Sequence, residues 1–73
     1  VKEVTELRKL REARGESLTG MAKQLNIGAS RYYLIESGMR PATRELAEAI
    51  GQILQVSSDS IFLPVSFTVR KDG

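Results

Sequence analysis

Apolar and polar positions along the chain divide it into five helical stretches and an ending of a different kind. The first stretch runs from about Lys2 to Arg14 and turns Val4, Leu7, Leu10 and Ala13 inward at helical spacing, with Gly15 as a left-handed stop. Ser17 is a good N-cap for a second helix, Leu18 to Leu25, whose buried positions are Leu18 or Met21, Ala22 and Leu25; Gly20 weakens it slightly. In the turn Leu25-Asn26-Ile27-Gly28, Asn26 tolerates the left-handed conformation and Gly28 gives a permissive start to a third helix, about Ala29 to Ser37. Ala22 supplies the small residue needed where two helices cross steeply through so short a turn. Gly38 ends the third helix and Pro41 blocks its continuation. Thr43 caps a fourth helix with Leu46, Ile50, Ile53 and Leu54 on one face, Ala47 and Ala49 packing closely, and an end near Gln55. Ser57 or Ser58 caps a single-turn fifth helix through about Phe62, where Ile61 and Phe62 close the core. Beyond it Val65, Phe67 and Val69 alternate with Ser66, Thr68 and Arg70, the period of a strand. A lone strand is not stable, so residues 64–73 either pair with another segment or with a second copy of the chain, or form a loose tail or linker. The expected architecture is an all-α domain over residues 1–63 with a short C-terminal strand as an open alternative for the tail.

The third helix breaks the pattern in one place. Its two stripes are Tyr32, Ile35, Glu36 and Met39 on one side, and Ser30, Tyr33, Leu34 and Ser37 on the other, with Arg31 and Ala29 at the margins. The first stripe reads as core, yet it carries Glu36, and a buried carboxylate is strongly unfavourable unless a cation sits against it. Arg11, one turn after Leu7 and beside Leu10, is the expected partner, since its stem can pack while its guanidinium reaches inward. The plainer alternative leaves both groups solvated. The second stripe then faces outward with hydroxyls, an apolar stem and a ring. Two short helices about a tight turn, the second with a free outer face, read as a helix-turn-helix whose default partner is double-stranded DNA.

Composition narrows the function more by exclusion than by assertion. Seventy-three residues, 41% hydrophobic and 27% charged, make one small soluble-type globular domain. No apolar run approaches the roughly 20 residues that span a bilayer and no signal-peptide pattern opens the chain, so a cytoplasmic or nucleoid-associated location is expected. With no cysteine and no histidine there is no disulfide framework, no thiol chemistry and no imidazole base or ligand; no metal, no cofactor and no small-molecule substrate are expected, and enzymatic function is improbable. Glu45 and Glu48 share a helix without a neighbouring base or third ligand and read as solvated. The net charge of +2 is modest, but residues 17–44 hold Lys23, Arg31, Arg40 and Arg44 against the single acid Glu36, whereas residues 45–62 hold Glu45, Glu48 and Asp59 with no base. That segregation predicts one positive and one negative face, suited to docking on a polyanion.

The set Leu7, Leu10-Arg11, Gly15, Ser17, Met21-Ala22, Leu25-Asn26-Ile27, Tyr32, Ile35-Glu36, Gly38 and Pro41 resembles the lambda repressor and Cro-like helix-turn-helix family, also called the xenobiotic-response-element family. The likeness runs without a gap from about Leu7 to Gly38 and continues loosely to Phe62. It implies a five-helix domain whose second helix lies across the DNA backbone and whose third enters the major groove, usually as a dimer on a two-fold symmetric operator. Residue by residue, it implies base reading at Ala29, Ser30, Tyr33 and Leu34, and phosphate positioning at Ser17, Leu18, Ser37 and the loop around Arg40. The Arg and Glu that many members pair beneath the recognition helix fall on Arg11 and Glu36. Leu18 stands where many members carry a glutamine that bonds a phosphate, and the reading face lacks the Gln, Asn or Arg that make bidentate contacts to purine edges.

The expectation is therefore a sequence-specific double-stranded DNA-binding transcriptional regulator of phage, mobile-element or bacterial type. Arg31, Arg40, Arg44, Lys23 and helix N-terminal amides set its orientation on the backbone. A homodimer through the tail or helix five is expected with it. The alternatives are a protein-interaction module or antitoxin on the same fold with little DNA affinity, favoured by Leu18, Tyr33 and Leu34 in polar contact positions, or the N-terminal recognition domain of a longer protein.

Overall fold

A computed structural model describes residues 5–71. Among them are five helices: α1 (Glu6–Ala13), α2 (Leu18–Leu25), α3 (Ala29–Glu36), α4 (Arg44–Leu54) and α5 (Ser58–Ile61). Four have hydroxyl caps where the sequence offers them, with Thr5, Ser17, Thr43 and Ser57 accepting from the amides of Arg8, Gly20, Leu46 and Asp59. Thr5 is extended, so α1 begins at Glu6 and not at Lys2; the expected inward Val4 lies outside the described residues.

The ends of α1 to α4 are built alike. A left-handed residue follows each helix: Gly15 (φ 73°), Asn26 (59°), Gly38 (86°) and Gln55 (59°). The amide of the next residue then bonds back to the carbonyl five positions earlier, as Glu16 to Arg11, Ile27 to Ala22, Met39 to Leu34 and Val56 to Gly51, at 2.9–3.1 Å. These Schellman turns satisfy the last carbonyls and reverse the chain sharply, which lets 8-residue helices pack around one core. The reversal after α4 passes so close to Gly51 that a Cβ there would stand 2.8 Å from the carbonyl oxygen of Val56.

The core comprises Leu7, Met21, Ala22, Tyr32, Ile35, Ala42, Ala47, Ile50, Leu54, Ile61, Phe62 and Val69. Ala22 is buried where α2 and α3 cross, and Leu10, Leu18, Leu25, Ile27, Ala29, Leu46, Ile53, Val56 and Phe67 pack around the core half-buried. Two expected core positions are exposed. Ala13 is displaced because the inward stripe of α1 runs through Leu7, Leu10 and Arg11, and the helix ends before another element covers its last turn. Met39 is 70% exposed because α3 stops at Glu36 and the Schellman turn takes residue 39 off the helical stripe.

The alternating tail forms no strand among the described residues. It folds back as a hairpin-like return, with isolated antiparallel bridges Phe62 to Val69 and Thr5 to Lys71. Ala42, Glu6 and Arg70 donate their amides to the carbonyls of Phe67, Arg70 and Ile61 at 2.8, 2.8 and 2.7 Å. Val69 is buried, Phe67 sits half-buried with a positive φ of 53°, and Val65 at the tip is 91% exposed. The period-two pattern therefore divides between a core residue, a packed turn residue and an exposed apolar tip.

Candidate nucleic-acid interface

The site is organised from beneath. Arg11 of α1 and Glu36 at the end of α3 meet as a bidentate pair, Nε to Oε1 at 2.6 Å and Nη2 to Oε2 at 3.2 Å. The remaining guanidinium nitrogen, Nη1, donates to the carbonyl of Glu16 at 2.8 Å, and the Tyr32 hydroxyl donates to Glu36 Oε1 at 3.1 Å. Arg11 is 8% and Glu36 3% exposed, and no buried side-chain nitrogen or oxygen among the described residues lacks a partner. A buried carboxylate is tolerable only on these terms, with a planar cation matching both oxygens and a hydroxyl supplying a further bond. The hydrogen bonds to Glu36 hold Arg11 above its ordinary pKa, against the opposing effect of burial. Burial first, then the charge of Glu36 and the bond to it, push the Tyr32 phenol well up. One guanidinium thus fastens α1, the loop leading into α2 and the end of α3 to one another.

Above that lock the outer face of α3 is open. Ala29, Ser30, Tyr33 and Leu34 line one shallow notch together with Leu18 from the first turn of α2. Tyr33 is 46% exposed, Ser30 lies at the surface, and Ala29 and Leu34 are half-buried. The Gly28 cap offers no side-chain acceptor, so the first-turn amides of Ala29, Ser30 and Arg31 point out of the helix start unfilled. A second hollow of about 520 Å³ adjoins the notch across Leu18 and Tyr33, lined also by Thr5, Arg8, Ser37 and Met39, with Arg11 and Glu36 at its floor.

The residues expected at phosphates fall into two groups. Leu18 and Ser37 line the hollow and Ser17 caps α2 just before Leu18; Ser17 Oγ accepts from the Gly20 amide and keeps its own proton available, whereas the Ser37 hydroxyl donates to the Leu34 carbonyl at 3.2 Å. Lys23, Arg40 and Arg44 are exposed on α2, the α3–α4 loop and the start of α4, and Arg31 lines a separate hollow between the turn and α4. The expected division into one positive and one negative face is not what the fold produces. Arg31 shares its hollow with Glu45, and Arg44 stands 3.9 Å from Glu48 in an exposed i, i+4 pair, because the acidic and basic segments meet in the first turns of α4. Glu45 and Glu48 are both at the surface.

Sequence reasoning missed Arg8. It projects from α1 into the hollow beside Leu18, Tyr33 and Ser37, paired with Glu12 at 3.2 Å on the exposed side. The signal was its place three residues before Arg11 on one helix, which puts both arginines toward α3. Met39 joins the same hollow, for the reason given by its turn.

Among the described residues no helix is long and apolar enough to cross a membrane. A family model for the helix-turn-helix domain matches residues 4–61, which takes in all five helices. No curated protein and no solved structure matches the chain.

Proposed function

Because the chain belongs to the helix-turn-helix domain family, we propose that it binds double-stranded DNA as a transcriptional regulator of phage, mobile-element or bacterial type. In this reading α3 lies in the major groove and α2 crosses the backbone. Ala29, Ser30, Tyr33 and Leu34 meet the base edges. Ser17, Lys23, Arg31, Ser37, Arg40 and Arg44 position the phosphates, Leu18 packs beside the base-reading face, and Arg8 adds a further cation on the α1 side. Two copies on a two-fold site supply the affinity one small domain lacks, and the exposed Leu63 and Val65 of the tail are the apolar contact offered for that pairing. The protein works in the cytoplasm or on the nucleoid, without cofactor or catalysis, in keeping with a family that is typically non-enzymatic.

The observation that carries this reading is the rigid seating of α3: its inner face is locked by Arg11, Glu36 and Tyr32 while its outer face lies open to solvent. A helix held that firmly can be inserted without the ordering cost a mobile one would meet. The test is a charge reversal of Arg31 and Arg40 together. It should weaken binding to every duplex and lower the salt slope by about 2, roughly 0.9 for each phosphate no longer neutralised. An unchanged slope sinks the docking face.

A second reading, a protein-interaction module or antitoxin with little DNA affinity, is favoured by the exposed Tyr33 and Met39 around the Arg8 hollow. It is separated by titrating random duplex at low salt, where this module would show no binding at high micromolar protein.

A further inference from the structure

We infer that the notch between α2 and α3 is a seat for the 5-methyl group of a thymine in the major groove, and that this contact, not a bidentate hydrogen bond, supplies most of the base discrimination. The inference rests on the DNA-binding reading above and names what that face recognises.

The notch, of about 370 Å³ and open to solvent, is walled by Leu18, Ala29, Tyr33 and Leu34, with Ser30 at its rim. Its polar side-chain atoms are the two hydroxyls of Ser30 and Tyr33. Purine edges in the major groove present N7 with O6 or an amino group, and a side chain tells them apart with two donors for guanine, or a donor and an acceptor for adenine, held in one plane. No residue of the notch has such a pair. Thymine alone among the four bases presents a methyl group there, beside a single O4 acceptor that one hydroxyl can satisfy.

The surroundings argue for a nucleic acid over an apolar peptide. The unfilled amides of Ala29, Ser30 and Arg31 bring the positive end of α3 to the rim, and Arg8, whose Nε pairs with Glu12 at 3.2 Å, lines the adjoining hollow. A polyanion is drawn to that rim, whereas an uncharged apolar segment would leave those donors covered and unpaired. Leu18 gains a role here. A glutamine in its place would hydrogen-bond a phosphate, but leucine forms one wall of the notch and so exchanges a backbone anchor for a base contact.

The experiment uses the wild-type chain and duplexes it recovers from a random pool. Each thymidine of a recovered site is replaced singly by deoxyuridine, which removes the methyl and leaves the hydrogen-bonding edge. At one thymine per half-site, affinity should fall about three- to fivefold, the value of burying one methyl; other positions should stay unchanged. Leu34→Ala should bind the thymidine and deoxyuridine duplexes equally while keeping the wild-type salt slope. Recovered sites with no invariant thymine, or duplex binding that is salt-dependent yet indifferent to every methyl, overturn the inference and leave the DNA-binding reading standing. Failure to bind any duplex overturns both.

Discussion

Each face of α3 carries a group more usual on the other. Toward the interior the helix presents a carboxylate beside Tyr32 and Ile35; toward solvent it presents Ala29, Tyr33 and Leu34. Ordinary amphipathic packing would reverse that, as α4 does with Ala47, Ile50 and Leu54 inward and Glu45, Glu48 and Gln52 outward. The contrast between the two helices teaches where each draws its stability. α4 is held by area removed from water, which is tolerant of direction, whereas the end of α3 is held by a directional pair that fixes its rotation as well as its position. Rotation matters for α3, because a few degrees decide which side chains face outward.

The largest expected effect comes from breaking the lock on one side. Arg11→Met leaves Glu36 buried without its cation and should cost about 3–5 kcal/mol in urea unfolding, a large share of the stability of so small a domain. Adding Glu36→Met should restore most of it, since paired replacement of a buried ion pair by apolar groups is often neutral. A double variant as unstable as the single one would show that α3 is not held by this pair.

Next in size is Tyr32→Phe, which removes the bond to Glu36 but keeps the ring, and should cost about 1–2 kcal/mol near neutral pH. It also sharpens the comparison through pH. The Tyr32 pKa is raised by folding above its ordinary 10.0, so its contribution is complete below about pH 10. Above that the unfolded chain loses the proton while the folded one retains it, and stability falls by up to about 1.4 kcal/mol per pH unit. The phenylalanine variant should lose less stability between about pH 10 and 11 than the wild type, measured as denaturation midpoints across that range.

The smallest effects on stability belong to the outer face. Tyr33→Ser and Leu34→Ser should shift unfolding by about 1 kcal/mol or less, because both side chains keep substantial contact with solvent, yet each should lower affinity for a selected duplex. A melting shift as large as that of Arg11→Met would mean that the outer face is structural. Val65→Asp, at an exposed tip, should leave the melt within about 0.5 kcal/mol and reduce any self-association seen by sedimentation. It is a cleaner probe of pairing than removing residues 65–73, which would take Val69 out of the core.

Most of the helical framework could be read before folding because it is written in local chemistry. Ser17 and Thr43 cap where a hydroxyl precedes an apolar stripe, Asn26 takes the left-handed turn its short amide permits, and α2 spans Leu18–Leu25 as its pattern requires. The encounter of Arg11 with Glu36, 25 residues apart, was accessible because a carboxylate on a core stripe demands a cation and few were in reach. What stayed hidden depends on where the chain goes after each turn. Met39 follows a Schellman reversal that a continuous helical wheel does not represent, and Arg8 gains its place only when Leu18 and Tyr33 arrive from other helices. The tail kept the period of a strand while being used as a cover, so its partners were tertiary and not periodic. Charge segregation along the sequence failed for a similar reason, since α4 brings Glu45 and Glu48 back to Arg31 and Arg44.

The bridge between Thr5 and Lys71, with the Glu6 amide on the Arg70 carbonyl, sets the start of α1 directly against residues 70–71. A short glycine-serine splice across that seam, with new ends cut at the turn bearing Val65, would yield a circular permutant in which Val69 leads directly into α1. Such a permutant preserves the order of α1 to α5 and the seating of Glu36, and offers an attachment point for a reporter at the turn bearing Val65, away from α3 in the sequence.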